Sequence, residues 1–273
     1  MRSLVLLALL SCAHVPPGPV PSSVAVYTAH PDDESMYAGG TLVALGRRGI
    51  PVSVVIASHG EGGRLLERAA SGDYRENRDH ARAHVARVRD AEMSEAARRG
   101  AFTVTYLYPA SANVDYAWTT SAEETRATWD RTLPGGEREL LRRLAADIRQ
   151  RRPRVVLTLD PRDDPHPSHH GHHRAMGALV ERAAQLAADP DFQAPGAPHA
   201  VEEVLAFTPA GMRPDVQLAV RPEDRRALLE AHPSQFTPAD LQSPLATRAR
   251  EDFTLRWRAP GRTHSALQEL LAP

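Results

Sequence analysis

Two short runs concentrate the side chains able to do chemistry. His30-Pro31-Asp32-Asp33-Glu34 sets one imidazole beside three carboxylates, and His166-Pro167-Ser168-His169-His170-Gly171-His172-His173 holds five of the chain's 13 histidines. Zinc takes neutral imidazole and carboxylate ligands, and a catalytic zinc site has three protein ligands with a fourth position open to water. One His and one Asp from the first run with one His from the second complete such a set. A carboxylate is then left over in the first run, where a general base must stand to take a proton from that water. Each run alone has a plainer reading. Asp-Asp-Glu after His-Pro suits a helix start with acidic first-turn residues, and a His-rich run can be a solvated loop or an adventitious metal binder. Only their meeting at two strand ends favours the catalytic reading.

The elements around the runs predict that meeting. Ser23 to Ala29 and Val52 to Ala57 are β-branched runs separated by a helical segment from Met36 to Arg48, a β-α-β unit. The polar, Ala- and Arg-rich stretch from Tyr74 to Arg99 reads as helix capped by Gly100, followed by a strand at Thr103 to Leu107. Pro109 to Pro134 lacks periodicity and reads as loop or lid. Glu137 to Arg151 carries Leu140, Leu141, Leu144 and Ile148 at helical spacing, and Pro153 ends it before the apolar strand Arg154 to Leu159. The second run opens a helix reaching about Ala188, and strands at Val204 to Thr208 and Val216 to Val220, a helix at Pro222 to Ala231 and a tail complete the chain. Alternating elements with continuously apolar strands predict an α/β fold, a Rossmann-like, mainly parallel sheet with helices on both faces. In such sheets ligands bind beyond the carboxyl ends of the strands, where His30 to Glu34 and Asp160 to His173 both fall.

Composition narrows the function. With 42% hydrophobic and 25% charged residues, the chain suits one compact domain over residues 23–273 rather than disorder or a coiled coil. Its 33 basic residues against 34 acidic ones give no excess for nucleic acid. All the basic residues are Arg, which excludes Schiff-base and P-loop lysine chemistry. One cysteine, Cys12, excludes an internal disulfide. It ends Leu9-Leu10-Ser11-Cys12 after the apolar run from Leu4, ahead of a Pro-rich stretch from Pro16 to Pro21. Residues 1–22 therefore read as a lipoprotein-type signal peptide and linker. The expectation is an exported lipoprotein on the periplasmic side of an outer membrane or on the cell surface, touching membrane only through lipidated Cys12. No apolar surface stripe separates from the core by pattern, so the oligomeric state stays open.

Further segments join the two runs in a resemblance. Ala29-His30-Pro31-Asp32-Asp33-Glu34 followed by Ala38-Gly39-Gly40-Thr41-Leu42 resembles the opening of the PIG-L/LmbE-like zinc-dependent N-deacetylases. Gly60-Glu61-Gly62-Gly63, Arg89-Asp90-Ala91-Glu92, His166-x-x-His169 and His232-Pro233-Ser234-Gln235 resemble later segments of that family, so the likeness covers about residues 23–240. It implies one Zn2+ per chain bound by His30, Asp33 and His169, with Asp32 as general base and His166 as electrophilic helper. Glu34 would cap its helix or support a ligand from behind. Family members often carry Asp where this chain has Ser168, so Asp160, Asp163 or Asp164 would have to orient His166. His169-x-x-His172 and His170-x-x-His173 repeat the same spacing; His166 and His169 are taken because Pro167 follows the first. Glu61, Arg64 and Asp115 are candidate substrate contacts. The implied activity is hydrolysis of an N-acyl group, N-acetyl above all, from an amino sugar such as an N-acetylglucosamine-containing compound or glycan. The alternatives are an amidase on a non-sugar amide and an exported His-rich zinc-binding lipoprotein without catalysis.

Overall fold

The computed structural model describes residues 23–115, 119, 121–162 and 169–272. The expected leader with Cys12 lies outside the described residues, as do Asp163, Asp164, His166 and Ser168.

Strand β1 (Val24–Thr28) leads through helix α1 (Asp33–Arg47) to β2 (Val52–Ile56). A hairpin, β3 (Leu65–Arg68) and β4 (Tyr74–Asn77), precedes α2 (Arg82–Gly100) and β5 (Thr103–Tyr106). Helices α3 (Ala122–Thr132) and α4 (Gly136–Arg151) lead to β6 (Val155–Thr158), then α5 (Gly171–Ala188) and β7 (Glu203–Phe207). The last part holds β8 (Val216–Ala219), α6 (Pro222–Leu229), α7 (Pro244–Thr247), β9 (Arg250–Arg258) and α8 (Ala266–Leu271).

The main sheet has the order β5-β2-β1-β6-β7-β9-β8. Its first five strands are parallel, and β9 runs antiparallel to both β7 and β8. From β1 the chain steps outward through β2 to β5; from β6 it steps the other way through β7. Right-handed crossovers then place α1 and α5 on opposite faces. Accordingly α1 packs on α2 and α6, while α5 packs on α3 and α4. The order reverses between β1 and β6, so a crevice opens beyond the carboxyl ends of those two strands. β1, β2 and β6 are buried throughout, as strands covered on both faces must be.

Three local expectations are corrected. Tyr74–Asn77 is a strand paired with Leu65–Arg68, not the start of α2, which begins at Arg82. An Arg- and Ala-rich stretch with no apolar face carries no period to separate the two. Ala101, at φ 54, is the left-handed residue closing α2, and Gly100 is instead the last helical residue, where a Cβ would press on the Phe102 ring. The stretch expected as loop contains α3, and the tail supplies β9, whose Phe253, Leu255 and Trp257 alternate along the strand.

Candidate metal and catalytic site

The loop after β1 is folded by its own side chains. Asp33, at the start of α1, turns Oδ2 back to accept the backbone N–H groups of Ala29 (3.1 Å) and His30 (2.9 Å). Its Oδ1 lies 3.0 Å from His173 Nε2, and Oδ2 lies 3.6 Å from His30 Nδ1. His30 Nδ1 and His173 Nε2 are 3.2 Å apart. Ligands held at about 2.0–2.1 Å in a tetrahedron stand about 3.3 Å from one another. These three buried groups are therefore already spaced to hold a zinc-sized cation. His170 also offers a ring nitrogen to the group formed with His30 and His173.

Asp32 stands beside that trio in a backbone conformation (φ 120°) that side-chain-bearing residues rarely adopt. Two partners hold it there. Glu34 Oε2 accepts the Asp32 N–H at 3.2 Å, and Arg89 Nη2 lies 3.0 Å from Asp32 Oδ2 while also donating to the Pro31 carbonyl. Burial, with Asp33 alongside, pushes the Asp32 carboxyl above its ordinary value despite Arg89. Burial pushes Asp33 upward too, but the charge and hydrogen bonds of His173 and His30 outweigh it and hold Asp33 well below the carboxylate range. Glu34 is fully buried, bonded to Ser35 Oγ (2.6 Å) and 3.4 Å from His232 Nε2, and so supports the loop from behind.

The second loop differs from expectation. His169 points its Nε2 at the Asp160 carbonyl, 2.6 Å away, and belongs to neither histidine group that could hold a metal. The ring beside Asp33 is His173, in the first turn of α5, with His170 as the helix N-cap. Among the described residues, it is thus His173, four positions beyond His169, that stands beside His30 and Asp33. Three His-x-x-His pairs overlap in this run, and only the start of α5 decides which pair faces the crevice. Asp160, a candidate to orient the helper histidine, accepts from Arg162 Nε and Nη2 at 2.9 and 2.7 Å. Burial and the rings of His173, His30 and His172 push His170 well below its ordinary value.

Behind His30 lies another group. His30 Nε2 is 3.2 Å from His172 Nδ1, and Asp115 Oδ1 is 3.2 Å from His172 Nδ1 and 3.8 Å from His30 Nε2. Burial pulls His30 down, yet Asp33 and Asp115 together leave it above its ordinary value. Burial raises Asp115, and the His172 hydrogen bond with the His30 and His172 charges reverses this strongly. Glu61, expected as a substrate contact, instead accepts the N–H groups of His59 (3.0 Å) and Asp115 (3.1 Å) and is buried. It positions Asp115.

The site floors a cleft of about 480 Å³, within the range of small-molecule sites. His30, Asp32, Asp33, His170 and His173 form its floor with Asp115, and Arg64, Arg78 and Gln235 stand on the walls opposite Met36, Phe236 and Leu245. Arg64 pairs with Glu76 of the hairpin at 2.9 Å. Glu92 of α2 accepts the Ser234 N–H (2.8 Å) and hydroxyl (2.7 Å), which fixes the segment bearing Gln235. Sequence reasoning left His170, His172 and His173 without roles and gave Arg89 none beyond a helix motif.

Comparison with known proteins adds the following. A family model described as PIG-L, GlcNAc-PI de-N-acetylase, matches residues 25–184. A 1D-myo-inositol 2-acetamido-2-deoxy-alpha-D-glucopyranoside deacetylase of Rhodococcus erythropolis is 33% identical over 163 residues, 58% of this chain and 53% of that protein. A protein of the same name from Mycobacterium leprae is 33% identical over 207 residues, 71% of this chain and 64% of that one. The chain spans about half to just under two thirds of the length of these relatives. The structure of N,N'-diacetylchitobiose deacetylase from Pyrococcus horikoshii superimposes with a TM-score of 0.62 at 18% identity, covering 86% of this chain and 84% of that one. The 4-carboxy-2-hydroxymuconate hydratase of Pseudomonas putida superimposes at 0.60 with 18% identity, covering 89% and 100%. A deacetylase and a hydratase thus share this fold, so the residues of the site must carry any argument about activity.

Proposed function

Because the chain belongs to the PIG-L, GlcNAc-PI de-N-acetylase family, we propose that it is a zinc-dependent hydrolase removing an N-acyl group, N-acetyl first of all, from an amino sugar. The observation that carries this reading is His30 Nδ1 and His173 Nε2, 3.2 Å apart with the Asp33 carboxylate against both, beside a carboxylate that burial has made more basic. These three residues would hold the ion. A zinc ion there supplies Lewis acidity and makes water acidic enough to lose a proton near neutral pH.

The chain's own groups then have defined tasks. Arg89 occupies Asp32 Oδ2, which leaves Oδ1 to take the proton from the attacking water. His170, on the cleft floor, takes the helper role expected of His166 and donates a hydrogen bond to the oxyanion. Asp32 passes its proton to the amide nitrogen as the C–N bond breaks, giving a free amine and a carboxylic acid. The cleft has room for a sugar and a neighbouring group, and Arg64, Gln235 and Asp115 among its lining residues offer hydrogen-bonding groups to hydroxyls. Names of the relatives favour an N-acetylglucosamine unit as that sugar.

The test is amine release from N-acetylglucosamine-containing compounds by the full chain, with zinc measured on the same sample. Turnover abolished by a chelator and restored by zinc supports the proposal; a zinc-loaded protein inert on every N-acyl amino sugar overturns it. Export as a lipoprotein through Cys12 belongs to the same reading, and Cys12→Ser is expected to move the protein from membranes to the soluble fraction.

A further inference from the structure

The two nitrogens of His30 face two different groups of ligand atoms. On the Nδ1 side stand Asp33 and His173. On the Nε2 side stand His172 Nδ1 at 3.2 Å and Asp115 Oδ1 at 3.8 Å, themselves 3.2 Å apart. Among the described residues, two groups are able to hold a metal ion, His30 with His170 and His173 and His30 with His172 and Asp115, so both include His30.

The second set is built into the fold. Asp115 is held by Glu61, which accepts its N–H at 3.1 Å, and by Arg82, which donates to its carbonyl at 2.9 Å. Gly62 lies beneath that carbonyl, where any Cβ would collide with it. His172 is fixed in the first turn of α5 with the Trp129 ring 5.7 Å away, and the Trp129 indole N–H is bonded to the Val114 carbonyl at 3.0 Å. Asp115 and His30 both reach the cleft, which gives an ion a way in.

Deprotonated imidazole nitrogens and a carboxylate oxygen each present a lone pair, and His172 Nδ1 lies 3.2 Å from both His30 Nε2 and Asp115 Oδ1. A cation serves all three atoms at once, and their spacing brackets the tetrahedral edge of about 3.3 Å. We propose that His30, His172 and Asp115 form a second divalent-metal site, sharing His30 with the site of the proposed function. Two imidazoles and one carboxylate select a late first-row ion, of which Zn2+ is the probe here. When both sites fill, His30 would be the ligand common to them. Asp33 on one side and Asp115 on the other then supply one carboxylate to each ion. This inference rests on the first site only for the shared ligand.

The experiment strips the full chain with a chelator, titrates it with Zn2+ calorimetrically and counts bound metal after desalting. Wild type is expected to bind two zinc ions. Asp33→Asn, His172→Asn and Asp115→Asn should each bind one, with circular dichroism confirming that they fold. His172→Asn should keep the first ion while the second weakens by more than about 100-fold, since it loses a direct ligand rather than a supporting group. One ion in wild type and His172→Asn alike, lost in Asp33→Asn, overturns the second site and leaves the first. One ion lost in His172→Asn and kept in Asp33→Asn overturns the first site and with it the shared ligand. Loading with Cu2+ reads the bridge itself: coupled coppers lose their electron paramagnetic resonance signal, whereas two isolated signals overturn the shared His30.

Discussion

The loop after β1 and the loop before α5 face each other across the crevice and are held by opposite means. In the first, Asp33 takes the N–H groups of Ala29 and His30, and Glu34 takes that of Asp32, so these hydrogen bonds lie within six residues, with Arg89 as a remote support. In the second, the anchors come from far along the chain. The Thr119 carbonyl accepts the Gly171 N–H at 3.0 Å, Asp115 meets His172, and Ser121 and Thr125 wall in Gly171. A loop that folds on itself keeps its meaning when read as a motif. One that is held from outside does not, because its register depends on neighbours the motif does not contain.

The largest expected effect tests that register directly. His173→Ala removes one of three ligands of the first site, so the zinc bound there and turnover should fall together to background while the ion at the His172 site stays. His169→Ala removes a bond to a backbone carbonyl and should keep about one zinc at the first site with most of the activity. The reverse result, metal lost with His169 and kept without His173, would restore the register expected from Pro167 and undo the contrast between the loops. In the self-held loop, Asp32→Asn keeps the Arg89 contact and the ligands but cannot take a proton. Turnover should drop about 10²–10⁴-fold with zinc content unchanged, and an unchanged rate would remove Asp32 as the base.

How much of the site could be read from sequence follows the same division. The place of His30, Asp32 and Asp33 on the cleft was legible because they directly follow a continuously apolar strand whose carboxyl end opens on the crevice. The parallel sheet and the switch between β1 and β6 were legible for a similar reason, since buried strands are continuously apolar and their order follows from the crossovers. His173 was hidden by three overlapping pairs of equal spacing. The one signal for it was the Ala-rich helical pattern starting at Gly171, which places His172 and His173 in a first turn and leaves His169 outside it. Glu61 was misread because its role lies in a contact 54 positions away. The hairpin β3–β4 and strand β9 were missed because pairing partners, not local pattern, make them strands.

A smaller effect is expected from disturbing the second loop at its remote anchor. A Cβ on Gly171 would stand 2.5 Å from the Ser121 carbonyl oxygen and 2.6 Å from the Thr119 and Thr125 hydroxyls. None of these oxygens belongs to the metal site. Overpacking of this kind costs about 1–3 kcal/mol, and here it should also push the start of α5, and His172 and His173 with it. Gly171→Ala should therefore lower both thermal stability and zinc affinity, though every ligand remains. A variant that loses stability but binds zinc as before would show that the second loop, too, holds its own shape.

The smallest effect concerns the loop after β2, which is also held from outside and in turn positions Asp115 through Glu61. His59 sets Nδ1 2.7 Å from Asp90 Oδ1 and Nε2 3.1 Å from the Tyr108 carbonyl, and its ring stacks on Tyr106. Both partners are acceptors, so the ring satisfies them only when doubly protonated. Burial lowers the affinity of His59 for its proton, but Asp90 and the Tyr108 carbonyl outweigh it, and the pKa in the folded protein lies above the ordinary value. The folded state thus holds the proton more tightly than the unfolded chain. The stabilisation is fully present below about pH 6.5, the unfolded value, and is lost as pH rises through the raised folded value. Asp90 is partly open to solvent, so the pair is worth at most about 1 kcal/mol. Asp90→Asn should destabilise the protein in denaturant at pH 6 and have less effect at pH 9. Equal losses at the two pH values would mean that His59 is neutral and that this loop is held by the Tyr106 stack and the Glu61 bonds alone.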